Sequence, residues 1–254
     1  NHVWLRHFGS PLVDNVDDFG LRSPRPRHAD LLDWLAVELM ENDWSLKRLH
    51  RLILTSDAWR RSSSGLSAAG EAVAESNGRR DHDNHTFWRM NVRRLEAEIV
   101  RDSVLAVAGG LDGALGGPDI PFAKGESTRR RSIYIQHAYE KQMTMLVQFD
   151  AASPNECYRR SESIVPQQAL ALANSTLSAE MSRVLSKRLW SESSEVKTGD
   201  PEGAEARFVD RAFRQILARP PSAQESGLCV EFLDQQSGLL ADTSQLSTFV
   251  GGVE

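Results

Sequence analysis

Leu31, Leu32, Leu35, Ala36 and Leu39 recur at i, i+1, i+4, i+5 and i+8, and Leu46, Leu49, Leu52 and Ile53 take up a helical rhythm again shortly afterwards. Apolar positions so spaced line one face of an α-helix and do not alternate as a strand requires. The link Asn42-Asp43-Trp44 leaves room only for a return of the chain, so the two stripes predict a helical hairpin. Pro24 and Pro26 stiffen the approach to the first helix, which should run from about 28 to 41, without interrupting a turn. Ser45 stands where a side-chain oxygen would cap the second helix. Leu35 and Leu49 are expected to share one core.

The rest of the chain follows the same period with wide interruptions. Residues 62–86 hold serines, glycines and the run Arg79-Arg80-Asp81-His82-Asp83, and predict an exposed loop with one alanine-rich turn near 68–74. A helical pattern resumes at Phe87-Trp88 and passes through Leu95, Ile99, Val104, Leu105 and Val107 until Gly109-Gly110 stops it. Residues 111–127 read as loop, residues 132–135 as the one β signal, and 139–149 as a further helix. Pro166 opens a long helix carrying Leu170, Leu177, Met181, Val184, Leu185 and Leu189. Asp200-Pro201 should start another, with Phe208, Val209, Ala212, Phe213, Ile216 and Leu217 on one stripe. Pro220-Pro221 ends it, and Ser222 with Glu225 forms a capping box for the last. The expected fold is therefore mainly α: an irregular multi-helix domain with long loops and at most one short strand or hairpin. One domain over 1–254 is expected, with a core region over 1–190 and a C-terminal helical hairpin over 200–254.

Charge narrows the function. Lys and Arg number 30 against 35 Asp and Glu, for a net charge of −5 over 254 residues. A weakly acidic chain is a poor partner for nucleic acid, and no apolar run reaches the length of a membrane span. Cys157 and Cys229 form no CxxC or CxxCH pattern; they could form one disulfide, but two unpaired buried thiols are the favoured reading. The first residues, Asn1-His2-Val3-Trp4, and the last, Gly251-Gly252-Val253-Glu254, read as cuts in a longer polypeptide.

Two groups of polar residues are candidates for a site. Arg94, Glu98, Arg101 and Asp102 fall at i, i+4, i+7 and i+8 and can share a helical face. They would either position a substrate or join helices as an ion-pair network, and the network is favoured. The basic clusters at Arg129-Arg130-Arg131 and Arg159-Arg160 form the second group, with Asp150, Asn155, Gln167 and Gln168. They could line a polar pocket for an anionic or carbohydrate-like ligand, because guanidinium groups bind carboxylate and sulfate bidentately. Equally, they could satisfy backbone carbonyls of an irregular loop, and both readings stay open. Residues 129–134 and 150–168 are expected to meet in space. His50 reads as a packed, hydrogen-bonded side chain. His82 and His85 lack a third ligand, so no metal is expected. No GxSxG or GxxxxGK[ST] occurs, so nucleophilic and phosphate-loop chemistry have no support.

Ordered blocks along the chain carry a resemblance. They run from Trp4-Leu5-Arg6-His7-Phe8-Gly9 and Asp18-Phe19-Gly20 to Leu31-Leu32-Asp33-Trp34-Leu35-Ala36 and Trp44-Ser45-Leu46-Lys47. Arg93-Arg94-Leu95-Glu96-Ala97-Glu98, Gly116-Gly117-Pro118, Arg130-Arg131-Ser132-Ile133-Tyr134 and Val165-Pro166-Gln167-Gln168-Ala169-Leu170 continue the series. Together they resemble the planctomycete-type domain of unknown function 1553. Ala29 stands where that family commonly has proline, and Asp43 where it often has glycine. The resemblance implies the C-terminal module of a larger exported protein, periplasmic or at the cell surface, beside an upstream cytochrome-c-like region. It implies no cofactor in this segment, haem c upstream, and the upstream domains of the same polypeptide as partners. The expected role is a scaffold or interaction domain. The alternative is part of an oxidative or hydrolytic enzyme acting on complex polysaccharides. Whether the domain is itself an enzyme is left open by the residues.

Overall fold

The hairpin is present as helices α2 (Ala29–Glu41) and α3 (Leu46–Thr55), in a computed structural model that describes residues 1–16, 20–21, 23–64, 70–155, 160, 162–194 and 202–241. Ser45 caps α3 by accepting the Arg48 N–H. The chain reverses through Asp43 and Trp44, both left-handed at φ 54° and 55°. Leu35 and Leu49 lie buried in one cluster with Trp4, Phe8, Leu12 and Ile53.

Two units divide the chain, one of Asn1–Leu95 and one of Glu96–Asn155 with the chain from Arg160 onward. In the first, helix α1 (His2–Phe8) adds Trp4 and Phe8 to the hairpin's core, one turn apart on the same face. Their rings stack at 4.0 Å, and Phe87 meets each edge-on at 5.2 Å. Gly9 ends α1 at φ 74°, returning its N–H to the Leu5 carbonyl. Asn1 ties the next segment back: its Oδ1 accepts the N–H groups of Leu12 and Val13, and its Nδ2 donates to the Val13 carbonyl.

Two expectations for this unit are corrected. Within 62–86, residues Glu71–Arg80 form helix α4 rather than loop. It buries no side chain, so no apolar stripe announced it. Its ends instead suit the helix dipole, with Glu71 in the first turn and Arg79 and Arg80 in the last. The helix expected from Phe87 starts only at Ala97. Asn84 takes both the N–H and the carbonyl of Arg89, Met90 N–H goes to Ser62, and Asn91 donates to the Phe8 carbonyl. Backbone groups spent sideways in this manner are lost to a helical ladder.

The second unit contains α5 (Ala97–Ala108), α6 (Thr144–Gln148), α7 (Pro166–Asn174), α8 (Thr176–Ser194), α9 (Glu202–Leu217) and α10 (Ala223–Ala241). Ala97, Leu105 and Ala108 of α5 pack with Met145 and Leu146 of α6 and with Leu177, Met181, Leu185 and Leu189 of α8. Gly109, at φ 78°, closes α5 as expected. Ser222 and Glu225 exchange the two hydrogen bonds of a capping box ahead of α10. Asp200-Pro201, Cys157 and Arg159 lie outside the described residues, and Cys229 is a free, half-buried thiol.

Three elements differ from expectation. The helix opened by Pro166 breaks at Ser175, whose extended backbone and hydroxyl cap a new helix through the Ser178 N–H. The helix expected over 139–149 is reduced to the five residues of α6. Residues Ser132–Tyr134 form a 3₁₀ turn, not a strand. Ser132 gives its N–H to the Asp102 carboxylate, and the β pairing among the described residues is limited to isolated bridges such as Ile120 with Ile135. No helix among the described residues is long and apolar enough to cross a membrane.

Candidate functional site

Helix α5 organises the polar residues of the second unit. Arg101 projects from it into the interior, and its side chain is wholly buried, at 0% exposure. Nε and Nη2 donate to the Gly125 carbonyl at 3.1 and 2.8 Å, and Nη2 also to Thr128 at 2.6 Å. Nη1 reaches the Arg130 carbonyl at 2.9 Å, the Ser132 hydroxyl at 3.2 Å and Asp102 at 3.3 Å. Every N–H of the guanidinium is thereby engaged. Burial lowers the Arg101 pKa, and Asp102 opposes that shift. Asp102 in turn accepts the Ser132 N–H at 2.8 Å and its hydroxyl at 2.6 Å. The loop spanning residues 125–132 is thus threaded around one buried cation.

One turn earlier on α5, Glu98 accepts two hydrogen bonds from Arg160, at 3.1 and 3.2 Å, and Glu96 stands 3.6 Å from the same guanidinium. These side chains are only 20–28% exposed. Residues 129–134 and Arg160 are therefore both anchored on α5, the first through Arg101 and Asp102, the second through Glu98. Arg94 precedes the helix, in the first unit, and is half-buried.

The remaining candidates scatter. Arg130 stacks on the Tyr134 ring at 4.0 Å and donates to the carbonyls of Ala114 and Gly116, while the Tyr134 hydroxyl accepts the Gly116 N–H. Arg131 and Asn155 are exposed. Asp150, left-handed at φ 59°, accepts both the N–H and the hydroxyl of Ser163, and buried Gln168 donates to Ser163 as well. Gln167 is exposed and lines a shallow cleft of about 380 Å³ between α6 and α7.

Sequence reasoning did not find Ser132 and Ser163, the hydroxyls that absorb Asp102 and Asp150. Nor did it find Thr144, Gln148 and Asn174, which share the cleft with Gln167. The α7 stripe Gln167, Leu170, Ala171 and Asn174, at i, i+3, i+4 and i+7, was the available signal, masked by amides at both ends. In the first unit, His50 is hydrogen-bonded: its Nδ1 lies 2.8 Å from His7 Nε2. His85 bonds through its own backbone to Asp81 and His28, and among the described residues no group of three or more His, Cys, Asp or Glu gathers to hold a metal.

The family described as "Protein of unknown function (DUF1553)", PSD1, matches residues 1–233. No curated protein and no solved structure matches the chain.

Proposed function

The chain belongs to the DUF1553 family, and from that premise we propose that it is a scaffold or interaction module of a larger exported protein, packed beside an upstream cytochrome-c-like region. The supporting observation is the fate of Arg101. A buried guanidinium with every N–H given to loop carbonyls, Ser132 and Asp102 holds a framework together and has no donor left for a substrate. Asp102, Glu98 and Asp150 are likewise committed to Ser132, Arg160 and Ser163. A general acid or base needs a carboxylate that can reach a reacting atom, and these are held by internal partners. The polar residues that sequence reading left open between substrate binding and loop support thus favour support. Export and the neighbouring haem region rest on the family resemblance.

The test is expression of the whole polypeptide, with its own upstream region, and of the same polypeptide lacking this domain. The expected result is a haem-staining band in the exported fraction, and an upstream region that becomes protease-sensitive when the domain is removed. An upstream region equally resistant without it overturns the scaffold reading. A cytoplasmic, haem-free product overturns the placement beside an exported cytochrome.

A further inference from the structure

We infer that the cleft between α6 and α7 is a binding site for a small neutral carbohydrate, a mono- or disaccharide unit of a glycan. Three residues with side-chain amides, Gln148, Gln167 and Asn174, and the hydroxyl-bearing Thr144 line this cleft. In a unit whose other polar groups are mostly paired, none of the four side chains has a hydrogen-bond partner among the described residues. An amide presents a donor and an acceptor side by side. That pair complements vicinal hydroxyls, each of which also gives and accepts.

The lining also has an apolar part: Met145, 2% exposed, Leu170, 58% exposed, and Ala171. A sugar ring has this same division, with hydroxyls at its rim and C–H groups on its face. The volume, about 380 Å³, lies at the small end of ligand sites.

Charge separates this ligand from an anionic one. No lysine, arginine or histidine lines the cleft among the described residues. Among the described residues its one charged group is Glu126, which accepts the Thr176 hydroxyl at 2.7 Å beside the start of α8. A carboxylate there already answers the positive end of that helix and repels a sulfate or uronate.

The experiment is a side-chain amide NMR titration of the whole chain with cellobiose, xylobiose, mannobiose and N,N′-diacetylchitobiose, alongside digalacturonate and the tripeptide Ala-Ala-Ala. The expected result is movement of the Gln148, Gln167 and Asn174 amide signals with at least one neutral disaccharide at millimolar concentration, and none with digalacturonate or the peptide. Gln167→Ala and Asn174→Ala alter exposed side chains, so the fold is retained. Each should weaken that binding about three- to tenfold, the effect of one neutral hydrogen bond. Stronger response to digalacturonate, response to the peptide alone, or silence of these amides with all four neutral sugars overturns the inference. None of these outcomes bears on the scaffold reading, whose test is the stability of the upstream region.

Discussion

Asp102 accepts the backbone N–H and the hydroxyl of Ser132 on a single oxygen, at 2.8 and 2.6 Å, while Arg101 Nη1 contacts both residues. The arrangement makes Arg101 the hub of this buried polar network. Replacing it by methionine keeps much of the volume but leaves the buried carbonyl of Gly125 and the half-buried ones of Thr128 and Arg130 without these donors, and Asp102 without its cation. Loss of one partner of a buried charged pair costs about 3–5 kcal/mol. Arg101→Met should lower the unfolding free energy measured in urea by that amount, whereas Arg131→Met, at an exposed position, should leave it within about 0.5 kcal/mol. Equal effects from the two would show that the buried network carries no stability.

The first unit gives an apolar counterpart. Leu35 is 8% exposed and packs with Leu49, whereas Trp34, its neighbour on α2, is 49% exposed. Leu35→Ala should cost about 2–5 kcal/mol through lost transfer energy and a cavity. Trp34→Ala should cost much less despite removing a larger side chain. Chemical denaturation of the two variants checks the order.

What could be read from sequence follows the kind of partner each residue has. The α2–α3 hairpin was legible because leucines seek other leucines, and their spacing records which face they use. Helix α4 was illegible for the opposite reason: Glu71–Arg80 buries nothing, and its ends are fixed by charge. Arg101 could be placed on a polar face, but its partners are mainly main-chain carbonyls, which every residue carries and no side-chain pattern marks. The strand signal at Ser132, Ile133 and Tyr134 was real in composition. It failed because an N–H that a strand would give to a neighbour goes to Asp102. The break at Ser175 carried its own signal, Asn174-Ser175-Thr176, three residues suited to caps, outweighed in reading by the continuous leucine pattern around them.

Acid should loosen the first unit in two separable stages. Burial, then His50 and then Arg93, hold the His7 imidazole below its ordinary value of 6.5. The folded state therefore binds this proton less readily than the unfolded one. The associated stability is fully present above about pH 6.5 and drains away as pH falls through the lowered value. Asp81, which accepts the Thr86 hydroxyl and the N–H groups of Thr86 and His85, is lowered from 3.8 to about 2. Its contribution is present above the unfolded value and is lost between about pH 4 and about pH 2. Urea midpoints measured across pH should fall in both windows. His7→Gln should flatten the first only, and Asp81→Asn the second only. A His7→Gln variant with an unchanged slope just below pH 6.5 would remove the histidine pair as the cause.

Backbone handedness supplies the last test, because two positions with the same conformation carry opposite residue types. Gly109 closes α5 at φ 78°, and a Cβ there would lie 2.7 Å from Arg188 Nη1. That guanidinium donates through Nη2 to the Val107 carbonyl, one of the last of the helix. Gly109→Ala therefore meets two costs: about 1–2 kcal/mol for the left-handed backbone, and displacement of Arg188 from its carbonyl. Asp43, in the α2–α3 link, is also left-handed, at φ 54°, but is not glycine. Asp43→Gly relieves the first kind of strain while making the unfolded chain more flexible, so it should be neutral or stabilising by up to about 1 kcal/mol. The pair is checked by thermal and urea unfolding. In the background Arg188→Ala, which removes the guanidinium, Gly109→Ala should still cost about 1–2 kcal/mol, because the backbone term remains. If the cost vanished there, the collision with Arg188 alone would account for it, and handedness would not be what requires glycine at the end of α5.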